Sequence, residues 1–178
     1  MKLFHHRLKL KESQDFILAH HRHSKPLKRH VFSIGVSGDL WGNSPLYGVL
    51  TVDRPSSGGW SREPGYIEFR RICIDNDIAP PNTSSFLIGK ARQACFAMGY
   101  YKIITYTKPF ESGSSLLASG FECDKYDIAK YTSGAIKGYR RWVSIAPSHA
   151  ALPPGEPRAQ TIRLLKQSDR FLQKCGEK

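Results

Sequence analysis

Long hydrophobic runs are missing from this chain. No apolar stretch reaches the roughly eighteen residues that a membrane helix needs, and the basic start MKLFHHRLKLKES lacks the apolar core of a secretory signal. Both absences lead us to expect a cytoplasmic protein with no membrane partner. Cysteine is sparse and scattered: Cys73, Cys95, Cys123 and Cys175 form no CxxC pair. That spacing argues against a zinc ribbon or a disulfide scaffold and fits buried free thiols in a reducing compartment. The dinucleotide fingerprint G-x-G-x-x-G is also absent, which sets aside a Rossmann-type protein. No internal repeat or low-complexity block occurs.

Acidic residues are few as well. The 178 residues carry 27 Lys and Arg against 15 Asp and Glu, a formal net charge of +12. Residues 1 to 30 hold eight basic side chains against two acids, and 137 to 178 hold nine against three, so the two flanks supply the whole excess. Such a field draws polyanions, which makes DNA or RNA a candidate partner without establishing one; solvated basic flanks account for the same numbers. Oligomeric state has no signature in the sequence.

What is present reads as one domain, residues 1–146, followed by a Pro-rich linker and a basic C-terminal helix in 147–178. Leu3 to Leu10 suits an edge strand. KESQDFILAHHRH reads as a helix ended by Lys25-Pro26, with Phe16, His20 and His23 at i, i+4 and i+7, so that histidines would continue an apolar face and line a pocket. His30 to Val36 and Leu46 to Val52 are β-rich runs expected as an antiparallel hairpin, with Tyr66 to Ile74 as a third strand. From Asn82 the period changes: Leu87, Ala91, Ala94, Cys95 and Met98 make one stripe of an amphipathic helix that Gly99 ends. Tyr101 to Thr107 returns to strand character, so the pair flanking this helix should be parallel neighbours. A short helix over Ser112 to Ser119, a strand near Phe121 to Ala129, a last strand Tyr139 to Ile145 and a tail helix Thr161 to Lys174 complete the expectation. The fold class is α/β (α+β), with a mixed central sheet of about six or seven strands flanked by helices.

The helix after PPNTSS begins with Asn82, Thr83, Ser84 and Ser85, at the end where unpaired N–H groups and the helix dipole favour an anion. Plain N-capping by Asn82 or Ser84 is the competing explanation. Six of the seven histidines lie in the first thirty residues. His20, His21, His23 and His30 could bind an acceptor or act as acid or base near neutral pH. No carboxylate completes a familiar metal signature beside them, so no metal is expected.

The order of strand, phosphate-turn helix ending in Gly99, strand IITYT, short helix and Gly120-Phe121 resembles the GNAT acyltransferase family, over roughly Leu3 to Ile145. ARQACFAMGYYKIITYT and SLLASGF are its better matches. A closer resemblance is to a GNAT-like branch of phages and bacterial mobile elements, to which the Mom DNA-modification protein of phage Mu is distantly similar. It rests on His21-Arg22-His23 with Pro26, Glu68 with Arg71, and Asn82 with Ser85. The resemblance implies acetyl-CoA or another acyl-CoA as cofactor, held by Ile72, Cys73, Ile74, Asn82, Thr83, Ser84, Ser85 and Ser114. It implies Glu68 as base, aided by a β-bulge that would bring Glu68 and Arg71 to one side of the strand. His23 and Tyr106 are further catalytic candidates, and His20, His21, Arg22, His30 and Arg71 candidates for binding the acceptor. Two departures stand out: the glycine-rich R/Q-x-x-G-x-G/A turn is replaced by PPNTSSFLIG, and Leu116 occupies the place of the tyrosine that many GNATs use as acid.

Three functions follow as expectations. The first is an acyl-CoA-dependent N-acyltransferase acting on a nucleic-acid base or other polyanion. The second is a non-catalytic basic nucleic-acid-binding protein on a degenerate GNAT scaffold, and the third a small-amine or protein N-acetyltransferase.

Overall fold

A computed structural model describes residues 2–21, 25–40, 43–56, 64–128 and 138–147. Ten elements follow one another in these residues: β1 (Phe4–Leu8), α1 (Leu10–His20), β2 (Phe32–Ser37), β3 (Gly48–Asp53), β4 (Tyr66–Ile74), α2 (Thr83–Ala97), β5 (Lys102–Thr107), α3 (Ser114–Ala118), β6 (Glu122–Ile128) and β7 (Tyr139–Ile145). The seven strands form one mixed sheet in the order β1-β2-β3-β4-β5-β7-β6. Met1–Ala146 form a compact unit. The tail helix expected at Thr161 to Lys174 lies outside the described residues. Among the described residues, no helix is long and apolar enough to cross a membrane.

β1 to β4 are antiparallel neighbours, as the alternating β-branched runs require, while the crossover through α2 makes β4 and β5 parallel. α2 lays Leu87, Ile88, Ala91 and Cys95 on one face of the sheet, against Ile34, Val36, Leu50, Val52, Ile67, Phe69 and Ile103. The other face carries α1, whose Ile17 packs with Leu8, Val49 and Cys73. Gly99 ends α2 at φ 86°, with its N–H on the Phe96 carbonyl and the Tyr100 N–H on that of Cys95. The expected stripe is corrected at its end: Met98 is 55% exposed because the helix has already stopped, and Ile88 takes the buried place instead.

A second correction concerns the first helix. It stops at His20, and His21 is extended at φ −85°, ψ 116°. The helical face through Phe16 and His20 therefore does not continue, and His23 and Arg22 fall outside the described residues. Gln14 fills the gap by donating its side-chain amide to the Leu27 carbonyl at 2.8 Å, tying the segment after the helix back onto it.

The bulge in β4 is present. Thr51 pairs with Arg71 but Val52 with Phe69, so Arg70 is the extra residue. Phe69 packs in the α2-side core together with Ile72 and Ile74, while Cys73 packs on the α1 side. Strict alternation would put Phe69 and Ile72 on opposite faces. The shift places Glu68 and Arg71 on the same α1 face.

Gly113 precedes α3 at φ 73°, and a Cβ there would overlap the Trp142 indole. Gly89, mid-helix in α2, has open space around it. Chemical denaturation should thus show Gly113→Ala losing about 2–4 kcal/mol through backbone strain and overpacking. Gly89→Ala should gain about 0.5–1 kcal/mol from helix propensity. Equal effects of the two changes would contradict this packing.

Candidate functional site

The parallel ladder between β4 and β5 is only three pairs long: Tyr66 with Lys102, Ile67 with Ile103 and Glu68 with Ile104. Beyond Glu68 each strand stays paired on its outer side only, β4 to β3 as far as Ile74 and β5 to β7 as far as Thr107. The two strands therefore part towards their C-terminal ends. Thr105, 3% exposed, donates its hydroxyl to the Phe69 carbonyl at 3.0 Å, one residue past the last pair on each strand. This side-chain bond satisfies a buried carbonyl that has lost its ladder partner there.

The N-terminus of α2 and the start of α3 meet around a cleft of about 410 Å³ beyond the ends of β4 and β5. Ile74, Asn82, Thr83, Ser84, Ser85 and Ser114 all line it, joined by Ser115, Asn76 and the Ala79-Pro80-Pro81 turn. Asn82 is the one non-glycine residue at positive φ among the described residues, 67°, and its side chain does not cap the helix. The Thr83 and Ser85 hydroxyls donate backwards, to the Pro80 and Asn82 carbonyls at 2.7 and 3.0 Å. The first-turn amides of Ser84 and Ser85 are left without a capping side chain and point along the helix dipole towards the cleft. Asn82 thus supplies the left-handed turn that glycine would otherwise supply, since Asn is among the few residues that enter this region readily. Plain N-capping does not describe this helix start.

Ile72 and Cys73, the other expected cofactor contacts, have their side chains elsewhere. Ile72 packs into the α2-side core and Cys73 lies on the α1 side. Burial, with Asp75 in a smaller part, pushes the Cys73 thiol up to about 11, so it is a neutral thiol at physiological pH and no nucleophile.

On the α1 face the structure gathers a polar cluster. Glu68 is 2% exposed and accepts the Ser56 N–H at 2.7 Å and the Ser56 hydroxyl at 3.1 Å, with the Arg70 Nε at 3.5 Å. Asp53 is its cross-strand neighbour and faces Arg29 at 3.7 Å. Arg71, half-buried, donates to the Lys25 and Arg70 carbonyls. Its pKa is lowered, first by burial, then by Arg70, against an opposing contribution from Glu68. His30 meets the Ser33 hydroxyl through Nδ1 at 2.7 Å, and Ser33 in turn donates to Thr51 at 3.3 Å. Because Ser33 spends its single proton on Thr51, Nδ1 of His30 is the donor and Nε2 keeps its lone pair. Burial first, then Arg7, lowers the His30 pKa against the pull of Asp53, which holds the ring neutral at pH 7.

The histidines are not brought together as one pocket lining. His20 stacks on Phe16 with ring centroids 4.5 Å apart and approaches Asp75 at 3.5 Å, whereas His30 sits at the start of β2 with Ser33. His21 is half-buried just beyond α1. Tyr106 lies on β5 opposite Arg141 of β7. Sequence reading missed Asp53, Ser56, Ser33, Thr51 and Thr105; a run such as TVDRPSS marks a strand end but not which face its aspartate takes.

No protein-family model and no curated protein sequence matches the chain. Solved structures do. An IAA acetyltransferase from Bacillus cereus superposes with a TM-score of 0.59 at 14% identity, over 82% of this chain and 100% of its own. An acetyltransferase from Bacillus subtilis in complex with CoA gives 0.59 at 15% identity, over 82% and 99%. The alanine N-acetyltransferase of ribosomal protein S18 from Escherichia coli gives 0.58 at 10%, over 85% and 99%. With its seven-stranded mixed sheet, parted central strands and helix N-terminus at the parting, this chain has the GNAT acetyltransferase fold.

Proposed function

We propose that this protein is an acyl-CoA-dependent N-acyltransferase. The observation that carries the reading is the open first turn of α2, whose amides face a hydroxyl-lined cleft where β4 and β5 part. A pyrophosphate fits this donor set, because backbone N–H groups and serine hydroxyls supply hydrogen bonds without any positive side chain. The dipole alone contributes only about 0.3–1 kcal/mol, so the amides and hydroxyls of Asn82, Thr83, Ser84, Ser85 and Ser114 carry the rest. When bound, the thioester supplies an activated acyl group. This chain's own part is to orient it between β4 and β5 and to accept the proton of the attacking nitrogen, for which Glu68 is the carboxylate on the strand beside the parting.

The acceptor we infer is a nucleic-acid base or another polyanion. Arg29, Arg70 and Arg71 surround Asp53 and Glu68, and each carboxylate has an arginine beside it. The face therefore offers no net negative charge to attract a polyamine, which disfavours small cationic amines as acceptors. The closer resemblance to a DNA-modifying branch points the same way. The rival reading, a non-catalytic nucleic-acid-binding module, draws on one observation: Leu116, where a tyrosine acid is common in GNATs, is 3% exposed and packed in the core.

Calorimetric titration of the full chain with CoA and acetyl-CoA tests the reading, and absence of a binding heat for both would overturn it. Asn82→Gly should bind CoA as the native chain does. Asn82→Val, which forces a β-branched residue to positive φ at about 1–2 kcal/mol, should lose about tenfold in affinity. Glu68→Gln should bind CoA normally while turnover falls by about 10²–10⁴. Unchanged turnover would reduce Glu68 to a counter-ion for Arg70. Mass spectrometry of DNA, RNA and protein from cells with and without the gene identifies the acceptor. Nucleic-acid affinity should fall steeply and linearly on logarithmic axes between about 50 and 200 mM salt; a flat response would exclude a phosphate-bearing acceptor.

A further inference from the structure

Leu116 leaves the acyl-transfer reading without the usual proton donor, and several hydroxyls lie near the parting of the sheet. Thr105 donates to the Phe69 carbonyl, Thr107 accepts from the Trp142 indole at 2.9 Å, and Ser112 and Ser114 bond to one another at 3.1 Å. All four are aliphatic alcohols, far less acidic than a phenol with its ordinary pKa of about 10. Tyr106 is the phenol in this region of β5, two residues past Ile104, where pairing with β4 has ended. Ile103 packs in the α2-side core and Trp142 bonds to Thr107 there, so Thr105 and Thr107 take that side. Alternation turns Ile104 and Tyr106 to the other face, the one that Glu68 shares.

Tyr106 pairs in register with Arg141, and Arg141 is gripped by Asp124 through a fork: Nε to both carboxylate oxygens at 2.8 and 3.1 Å, and an Nη2 bond at 2.7 Å. The hydrogen bond to Asp124 raises the Arg141 pKa most, with Tyr106 contributing in smaller part, so the guanidinium is charged at any working pH. A fixed cation beside a phenol stabilises the phenolate and makes the phenol a better proton donor.

We propose that Tyr106, held by Arg141 and Asp124, is the catalytic acid that protonates the departing sulfur of the acyl donor. The inference rests on the acyl-transfer reading. As the acceptor nitrogen bonds to the acyl carbon, the carbon–sulfur bond breaks and its electron pair goes to sulfur. The Tyr106 O–H proton moves to that sulfur and gives the free thiol. The phenolate is held by Arg141 and regains a proton from solvent, which receives the one lost by the acceptor nitrogen. The acid of this chain thus comes from strand β5 instead of the short helix after it.

The test compares CoA with desulfo-CoA, in which hydrogen replaces the thiol, by calorimetry on the full chain. Tyr106→Phe should weaken CoA by about tenfold, the loss of one strong hydrogen bond, and leave desulfo-CoA unchanged. Equal weakening of both ligands would show a structural role, and no weakening of either would show no contact with sulfur; each result overturns the proposal. With an acceptor that supports turnover, Tyr106→Phe should lower kcat about 10²-fold or more at unchanged KM for acetyl-CoA. A native chain that binds neither ligand overturns the acyl-transfer reading itself, a result distinct from native binding that the variant leaves untouched.

Discussion

The three-pair parallel ladder between β4 and β5 sets the geometry of everything around it. On one side β1 to β4 form an antiparallel half-sheet, and on the other β5, β7 and β6 form a second. Each half keeps its own ladder to the end, so backbone hydrogen bonds are conserved within the halves and given up only between them. Because α2 begins just after β4 and α3 just after β5, both helix starts are delivered to the same gap. An anion-binding helix end then needs no special loop to reach the sheet's interior; the topology places it there. Thr105 limits how far the gap extends, since its bond to Phe69 stitches the strands one step past their last pair.

Electrostatics divide the molecule by face. The cleft at α2 is lined by neutral side chains and backbone amides, a setting that favours an anion through hydrogen bonds more than through charge. The α1 face is the opposite case, with buried carboxylates and arginines interleaved. Removing one partner of such a pair costs about 3–5 kcal/mol, because the remaining charge stays buried. Glu68 is thereby fixed in place by Ser56 and Arg70 whether or not a ligand is present. The same rigidity that holds it for chemistry makes it part of the fold's stability, and the two roles share one side chain.

Much of the architecture was legible from periodicity. Tyr66 to Ile74 and Tyr139 to Ile145 are strands with the bounds the sequence suggested, and the strand-helix-strand phrase gave the parallel pair. The expected mixed sheet of six or seven strands has seven. Failures occurred where a local signal lacked the information. Histidines after Phe16 fit helical spacing, but a spacing rule does not register that the chain turns away at His21 to lie along α1. Met98 fits the stripe by number but lies past the last helical turn. The positive φ of Asn82 is invisible because Asn is equally common as a cap. The cluster of Asp53, Glu68 and Arg71 depends on register across three strands, which composition along one strand does not encode.

The bulge at Arg70 has one further consequence, for which changes of length are tolerated. Phe69, Ile72 and Ile74 reach the same core only because one residue is extra. Deleting Arg70 would restore strict alternation and turn Ile72 and Ile74 to the α1 face, and Arg71 into the apolar core. Substitutions at Arg70 alter one side chain, whereas loss of a single codon there inverts the facing of the rest of the strand. Within β4, the number of residues is therefore more constrained than the identity of the one that makes the bulge.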